Sequence, residues 1–418
     1  MERRTLSNGI RVVLENIPTI RSVAFGIWVK TGSRNEELKQ NGISHFIEHM
    51  LFKGTERYSA KDIADVFDGI GGNVNAFTSK EYTCYYAKVL DEHVPIAVDV
   101  LADMFFRSKL ATEELNREKK VIIEEISMYE DTPDDLVHDL IAKAAYGDHA
   151  LGYPILGTEQ NLLAMSSEDL RSFIDSHYGT DSIVISAAGN IGESMIELFE
   201  RHFGSYGNDV QQQSLVTPSF AGGYHFHKKK TEQNHICLAM PGISQTDPQM
   251  YTMILVNNAI GGGMSSRLFQ EIREKRGLAY SVYSYHSAHT DTGLFTIYAG
   301  TTPKQTQEVL DVMDDILTDI RAHSITPEEL RKGKEQLKGS LILGLESTSS
   351  RMTRNGKNEL MLGHHYTLDE MLERIESVTM EDCAELIKRV FNGINATAMV
   401  GNSDKALLKW RERYAGAI

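Results

Sequence analysis

The sequence predicts two related domains in tandem, each combining helices with strands. Its 418 residues, 41% of them hydrophobic, are enough for two or three globular domains. The order of predicted elements recurs, because Thr112–Leu115 begins one helix and Pro327–Leu330 begins another in the corresponding place of the second half. Residues 211–223 are mostly polar and contain glycine, which is typical of a linker, so the predicted domains are 1–210 and 224–418.

His45, Glu48 and His49 form the most informative motif of the first half. Positions i, i+3 and i+4 of a helix share one face, so these three side chains are expected to point to one place. Two imidazoles at this spacing can hold zinc, and a carboxylate beside them can take a proton from zinc-bound water. Ser44 is the predicted N-cap of the helix. The neighbouring residues are mostly apolar, and a buried His-Glu-His face indicates a metal site more than a structural histidine pair.

A catalytic zinc usually has three protein ligands, so the motif predicts a third ligand from another element. Residues 113–126 are predicted to form a helix, since their apolar residues recur at helical spacing. Periodicity alone leaves three glutamates of this helix open as the third ligand: Glu118, Glu124 and Glu125.

The motif and the distant glutamate resemble those of the pitrilysin or insulinase class of zinc peptidases. Length and layout are similar to its mitochondrial-processing-peptidase-like branch, which includes bacterial processing proteases. The resemblance implies that His45, His49 and Glu125 bind one Zn²⁺ per chain and that Glu48 is the general base. It also implies that Glu118 orients a histidine or the ligand helix without binding the metal itself, the alternative being an ordinary acid on the helix surface.

The resemblance further implies an α+β fold of two tandem related domains, each a largely antiparallel sheet packed with helices. At the positions that correspond to the motif, the second half has Asn257, Ile260 and Gly261, and Ser340 stands opposite Glu125. These four residues cannot form a zinc site. We therefore expect the first domain to be catalytic and the second to be non-catalytic, binding substrate and walling a chamber.

A glycine break at Gly71–Gly72 is followed by a β-rich run that ends at Tyr86. This run is similar to the edge strand with which the family binds extended peptides by strand addition. The resemblance places Asn75, Ala76 and Phe77 beside the scissile bond. The alternative is a buried strand of the core.

Arg273 and Tyr280 resemble an Arg/Tyr pair of the family, in which a guanidinium and a phenol bind substrate carbonyls and stabilise an oxyanion. Without the resemblance, this segment is a charged helix end, a glycine C-cap and an aromatic strand. The family also implies a homodimer in which the pair of one subunit approaches the zinc of its partner. Each active site would then be composite.

Composition narrows the class of protein. A formal net charge of -15 argues against nucleic acid as the main partner. No apolar run is long enough to span a bilayer, and the first residues contain no apolar signal region, so no membrane partner is expected. Three widely spaced cysteines indicate reduced thiols and a cytoplasmic protein.

Together these observations predict a zinc metalloendopeptidase that cleaves extended or unstructured peptides inside a closed chamber. The alternative is a non-catalytic core or substrate-binding subunit of a processing-peptidase-like complex. Such subunits typically have a degraded motif, whereas His45, Glu48 and His49 are all present here, which favours the enzyme.

Overall fold

A computed structural model describes residues 1–210, 214–391 and 395–413, so the first three residues of the predicted linker, 211–213, lie outside the described residues. The strands are β1 Glu2–Thr5, β2 Arg11–Asn16, β3 Ser22–Val29, β4 Asn73–Thr78, β5 Thr83–Leu90, β6 Ile183–Gly189, β7 Tyr224–Lys228, β8 Asn234–Pro241, β9 Ala279–Ala288, β10 Gly293–Thr301 and β11 Ala396–Gly401. The helices are α1 Ile43–Leu51, α2 Ala60–Gly69, α3 Val94–Arg107, α4 Thr112–Glu130, α5 Pro133–Tyr146, α6 Glu159–Ala164, α7 Ser167–His177, α8 Ser194–Phe203, α9 Met250–Gly261, α10 Thr306–His323, α11 Pro327–Gly344, α12 Thr348–Met361, α13 Leu368–Ser377, α14 Met380–Val390 and α15 Lys405–Glu412.

The chain divides into two compact units, each built around one sheet. Unit 1 comprises Met1–Ile126, Tyr153–Leu215 and Ile342–His365. Unit 2 comprises Ser127–Gly152, Val216–Leu341 and the described residues from Tyr366 on. None of the helices formed by the described residues combines the length and the apolar composition needed to span a bilayer.

Unit 1 contains a six-stranded sheet with the order β1-β2-β6-β3-β5-β4. The pair β2–β6 is parallel and the other pairs are antiparallel. β3 lies in the interior of the sheet and is apolar along nearly its whole length, so its side chains are buried on both faces. β4 is an edge strand, and the alternative that it is a buried core strand is therefore wrong.

Unit 2 contains a five-stranded sheet with the order β7-β11-β8-β10-β9. Here β7–β11 is the parallel pair, and the remaining pairs are antiparallel. Each unit thus contains its own largely antiparallel sheet packed with helices. The predicted α+β fold class is confirmed.

The compact units differ from the contiguous domains 1–210 and 224–418 in the placement of helices α5 and α12. Helix α5 lies in the first half of the sequence but belongs to unit 2, and α12 lies in the second half but belongs to unit 1. α5 packs its apolar residues, among them Val137 and Ile141, on the sheet of unit 2. α12 packs Met352 and Leu360 around Trp28 on the sheet of unit 1. An amphipathic pattern predicts that a helix buries one face, but it does not identify the sheet that covers this face.

Candidate metal centre

Helix α1 begins where a buried carboxylate satisfies its first amides. Its N-cap is Gly42, in the left-handed region at φ 99°, so the prediction of Ser44 as N-cap is wrong. The Glu36 carboxylate accepts hydrogen bonds from the backbone N–H of Gly42 at 2.8 Å and of Ser44 at 2.9 Å, and from Asn41 Nδ2 at 2.9 Å. Burial raises the pKa of Glu36 to about 7, although these donors lower it. The Glu36 carboxylate, which lies outside the helix, therefore satisfies backbone N–H groups at the start of α1 as a capping side chain would.

The structure brings His45, His49 and Glu125 together. The two histidines lie one turn apart on α1, with their Nε2 atoms 3.2 Å from each other. Glu125 comes from α4, and its Oε2 lies 3.8 Å from His45 Nε2 and 3.5 Å from His49 Nε2. One ligand atom from each residue lies within 4.8 Å of the others. Two nitrogens and a carboxylate oxygen thus converge on one point.

Glu118 lies on the other side of the His49 ring. Its Oε1 is 2.8 Å from His49 Nδ1, and its Oε2 is 2.7 Å from Lys53 Nζ. Although burial opposes the shift, hydrogen bonds from His49 and Lys53 lower the pKa of Glu118, which favours a carboxylate. A carboxylate here accepts the Nδ1–H of His49, so the lone pair of Nε2 points at His45 and Glu125.

The donor set fits a divalent zinc ion. Burial lowers the pKa of His45 to about 3, so this imidazole is neutral at physiological pH and can bind a cation through a lone pair. Without a cation, two imidazole nitrogens and a carboxylate would face one another at these short distances. Two imidazoles and one carboxylate are a common ligand set of catalytic zinc, which keeps a fourth position open.

The three glutamates that periodicity left open occupy different places on α4. Glu125 is half-buried beside both Nε2 atoms, and Glu118 is buried behind His49. Glu124 is exposed to solvent. Glu118 and Glu125 are two turns apart on one face of the helix, which explains how a single helix supplies both carboxylates.

Glu48 lies on α1 between the two histidines, and its Oε2 accepts a hydrogen bond of 2.5 Å from Thr78 Oγ1. Burial raises the pKa of Glu48, and the Glu125 carboxylate adds to this rise, whereas Thr78 and His49 lower it. A carboxylate whose pKa is raised by burial is a stronger proton acceptor than an exposed one.

The predicted substrate-binding residues lie on β4. Asn75 is exposed and its Oδ1 accepts a hydrogen bond of 2.8 Å from the backbone N–H of Ala76. The ring of Phe77 packs 5.8 Å from that of Trp28, within an aromatic cluster of unit 1. Ala76 and Phe77 are both half-buried and pack against hydrophobic clusters of unit 1, so Asn75 is the exposed residue of the three.

Arg273 and Tyr280 are brought together in unit 2. Arg273 lies on a π-helical turn, Phe269–Glu274, and its guanidinium lies 4.7 Å from the ring centroid of Phe269 and 4.5 Å from that of Tyr280. It also donates a hydrogen bond of 3.0 Å to the backbone carbonyl of Tyr280. Tyr280 is 76% exposed. Arg273 therefore contacts both the ring and the backbone carbonyl of an exposed tyrosine.

Two family models match successive parts of this chain. Residues 11–159 match the model described as Insulinase (Peptidase family M16), and residues 164–337 match the model described as Peptidase M16 inactive domain. The chain belongs to the M16 peptidase family. The predicted membership of the pitrilysin or insulinase class is confirmed, as are the two tandem domains of the fold class.

Two bacterial proteins are similar to nearly the whole chain. The uncharacterized zinc protease YmxG of Bacillus subtilis is 53% identical over 403 residues, which are 96% of this chain and 98% of that protein. An uncharacterized zinc protease of Streptomyces coelicolor is 44% identical over 410 residues, 96% of this chain and 89% of that protein.

Two solved structures share the fold of this family member. A protease from Helicobacter pylori superposes with a TM-score of 0.89 at 22% identity, covering 96% of this chain and 99% of that one. A peptidase M16 inactive domain from Pseudomonas fluorescens gives 0.90 at 20% identity, with 96% and 98% covered.

Three further residues support this site and were not among the residues predicted from the sequence. Glu36 precedes the motif in a polar loop, and nothing in its pattern links it to the helix. Lys53 lies two residues beyond the end of α1, and its Nζ is 2.7 Å from Glu118 Oε2; no periodicity in the sequence links these two residues. Thr78 alternates with Ala76 along β4, so strand periodicity was a signal that placed both on one face.

Proposed function

We propose that this M16 family member is a zinc-dependent endopeptidase that cleaves extended or unstructured peptides. The observation that carries the proposal is the convergence of His45, His49 and Glu125, with Glu48 on the same helix as the histidines. His45, His49 and Glu125 would hold one Zn²⁺ per chain. The relatives' names as zinc proteases support the choice of metal.

The residues of the site have different roles in the proposed reaction. Lewis acidity from a bound Zn²⁺ would polarise a peptide carbonyl and lower the pKa of a water molecule. Glu118 fixes the orientation and tautomer of His49 through Nδ1. Glu48 removes a proton from the attacking water and delivers it to the leaving amine.

The edge strand β4 is the proposed substrate-binding element. A peptide that adds to β4 gains main-chain hydrogen bonds whatever its sequence, which suits a peptidase with broad substrates. Asn75, Ala76 and Phe77 would flank the scissile bond. Because strand addition requires an extended chain, folded proteins are poor substrates in this proposal.

We further propose a homodimer with composite active sites inside a closed chamber. Arg273 and Tyr280 of one chain would bind substrate carbonyls at the zinc of its partner. The support is the exposed residue Tyr280, whose ring lies against the Arg273 guanidinium, in a part of the chain that matches the family model described as inactive. A cytoplasmic location completes the proposal, supported by three buried, free cysteines.

The test is digestion of an unstructured peptide library by purified protein of measured zinc content, with mass spectrometry of the products. We expect about one zinc per chain and internal cuts. Glu48→Gln should retain the metal but lose activity by about 100-fold to 10,000-fold, as expected for loss of a general base. The matched control is Glu124→Gln, which changes an exposed glutamate and should leave activity unchanged.

Two results would contradict the proposed enzyme. Normal cleavage by Glu48→Gln would remove the assigned base. Tight peptide binding by the zinc-loaded wild type without any cleavage would instead favour the alternative, a non-catalytic core or substrate-binding subunit.

A further inference from the structure

The Glu48 carboxylate has a single hydrogen-bond partner among the described residues, the Thr78 hydroxyl at 2.5 Å. This contact joins two elements with different proposed tasks. Glu48 is on α1, which carries two proposed metal ligands, and Thr78 is the last residue of β4, the proposed substrate-binding strand. Nothing in the assigned reaction uses Thr78.

The direction of the Thr78 hydroxyl is set by the strand. Threonine is branched at Cβ, so its χ1 angle is restricted and Oγ1 moves with the backbone. A glutamate side chain has three rotatable bonds, and a hydrogen bond at one carboxylate oxygen removes much of this freedom. With Oε2 engaged, Oε1 remains to exchange a proton with water.

The end of β4 that carries Thr78 is firmly held within unit 1. In the following turn, Ser79 N–H donates to the Tyr82 carbonyl at 2.8 Å. The backbone N–H of Arg34 donates to the Lys80 carbonyl at 2.7 Å, and Arg34 Nη1 lies 2.7 Å from Glu81 Oε1 in a buried ion pair. These contacts give the Thr78 hydroxyl a defined position near α1.

The remainder of β4 has strand partners on one side only. A peptide that pairs with its free edge adds a second ladder of hydrogen bonds and further restricts the strand. Thr78 belongs to this strand, so the pairing of a peptide with β4 affects the Glu48 carboxylate through the Thr78 side chain. Binding energy from residues remote from the cut would then improve the chemical step.

We infer that Thr78 is a positioning residue, whose hydroxyl holds Glu48 ready to handle the proton and ties this orientation to the pairing of a peptide with β4. The inference rests on the proposed peptidase function and deepens it. It makes the turnover rate depend on a residue that does not touch the substrate's reacting atoms.

The first test replaces the hydroxyl at nearly constant shape. We expect Thr78→Val to lower kcat about 10-fold to 100-fold, the range for loss of a hydrogen bond to a charged group, with KM and zinc content unchanged. Thr78→Ser keeps a hydroxyl and should recover most of the lost kcat. Thr78→Ala provides a second hydroxyl-free variant, which decides the matter if Thr78→Val does not fold.

Thr83→Val is the matched control. Thr83 pairs with Thr78 across β4 and β5, and its hydroxyl donates to the Thr31 carbonyl at 2.9 Å. This variant removes a buried hydroxyl from the same strand pair without touching Glu48. We expect it to lower the unfolding temperature but to leave kcat unchanged.

The second test uses two peptides with the same cleavage sequence, one shorter and one longer than the six residues of β4. We expect the longer peptide to have the higher kcat with the wild type, and Thr78→Val to lose most of this gain. An equal gain in both proteins, or no gain in the wild type, would overturn the coupling to β4.

The outcomes separate this inference from the proposed function. If the wild type cleaves peptides, Glu48→Gln is inactive and the folded hydroxyl-free variants have wild-type kcat, the role of Thr78 is refuted and the peptidase stands. If Thr83→Val loses as much kcat as Thr78→Val, the effect is structural and the inference also fails. If the zinc-loaded wild type cleaves nothing, both fall together.

Discussion

Helix α1 of unit 1 and helix α9 of unit 2 carry corresponding sequence positions but present different chemistry. In α1, His45 and His49 face Glu125, and Glu48 accepts a hydrogen bond from the edge strand β4. In α9, Asn257 takes the place of His45, and its Oδ1 accepts a hydrogen bond of 2.7 Å from Ser284 Oγ of the edge strand β9. A hydrogen bond between a helix and an edge strand thus occurs in both units, whereas the group of metal donors described above lies in unit 1.

The space beside the two helices also differs. Gly261 of α9 corresponds to His49, and a Cβ atom there would lie 2.5 Å from the backbone nitrogen of Ser284. Helix α9 therefore packs against β9 so closely that no side chain fits at this position. Helix α1 instead leaves its histidines room to face a carboxylate from α4. A metal site therefore requires a gap between packed elements as well as suitable donors.

The largest expected effect comes from removing the ligand that unit 2 lacks. Glu125→Gln keeps the size of the side chain but replaces an anionic donor. We expect zinc affinity to fall by more than about 100-fold and peptidase activity to be lost with it. Metal analysis after dialysis against a chelator measures the first effect. Glu124→Gln, one residue earlier and exposed, should retain its zinc; equal loss in both variants would contradict the ligand assignment.

Mixing two inactive chains tests whether unit 2 of one subunit completes the site of the other. Glu48→Gln and Arg273→Ala chains should each be inactive alone. Random exchange gives about half heterodimers with one intact site in two, so activity should return to about a quarter of wild type. Arg276→Ala, which removes a neighbouring arginine paired with Glu271, should be active without mixing. No recovery after verified exchange of subunits would exclude composite sites.

Glu118→Gln tests the support behind His49. An amide can still contact Nδ1, but it no longer supplies the charge that fixes the tautomer. We expect zinc affinity to fall about 10-fold to 100-fold, less than for loss of a direct ligand. Glu114→Gln is the control on the same helix, since Glu114 pairs with Arg117 instead. Zinc competition titrations compare the two; equal affinities would show that Glu118 is an ordinary acid.

The smallest change in stability or activity is expected at Gly261 of α9, the position of unit 2 that corresponds to His49. Gly261→Ala should destabilise the protein by about 1–3 kcal/mol, because the added methyl group overlaps Ser284. Gly339→Ala in α11 meets no atom within 4 Å and should stabilise the protein by about 0.5–1 kcal/mol, since alanine favours a helix. Denaturant unfolding measures both. A neutral Gly261→Ala would mean that close packing does not keep side chains out of this position.

Local spacing predicted much of the site, because His45, Glu48 and His49 are close in sequence and a helix fixes their relation. Local spacing did not identify the third donor, since helical periodicity left Glu118, Glu124 and Glu125 as equal candidates. The family resemblance selected Glu125, and the structure places its carboxylate beside both Nε2 atoms.

Contacts between distant segments were beyond reach of the sequence pattern. Helices α5 and α12 each pack on the sheet built by the other half of the chain, and an amphipathic stripe carries no information about its partner. The cap of α1 was missed for a similar reason, since Glu36 bonds the amides of α1 from the far side of a short 3-10 helix, Leu38–Gln40. Both features depend on tertiary packing, which local propensity does not encode.

Two imidazoles of α1 and one carboxylate of α4 are proposed to hold a single metal ion. The most direct measurement is a crystal structure of the zinc-loaded protein with anomalous scattering recorded at the zinc edge. We predict one strong peak per chain at about 2.0–2.2 Å from His45 Nε2, His49 Nε2 and a Glu125 oxygen. Stoichiometric zinc bound at other residues, with Glu125 remote from the ion, would contradict the account.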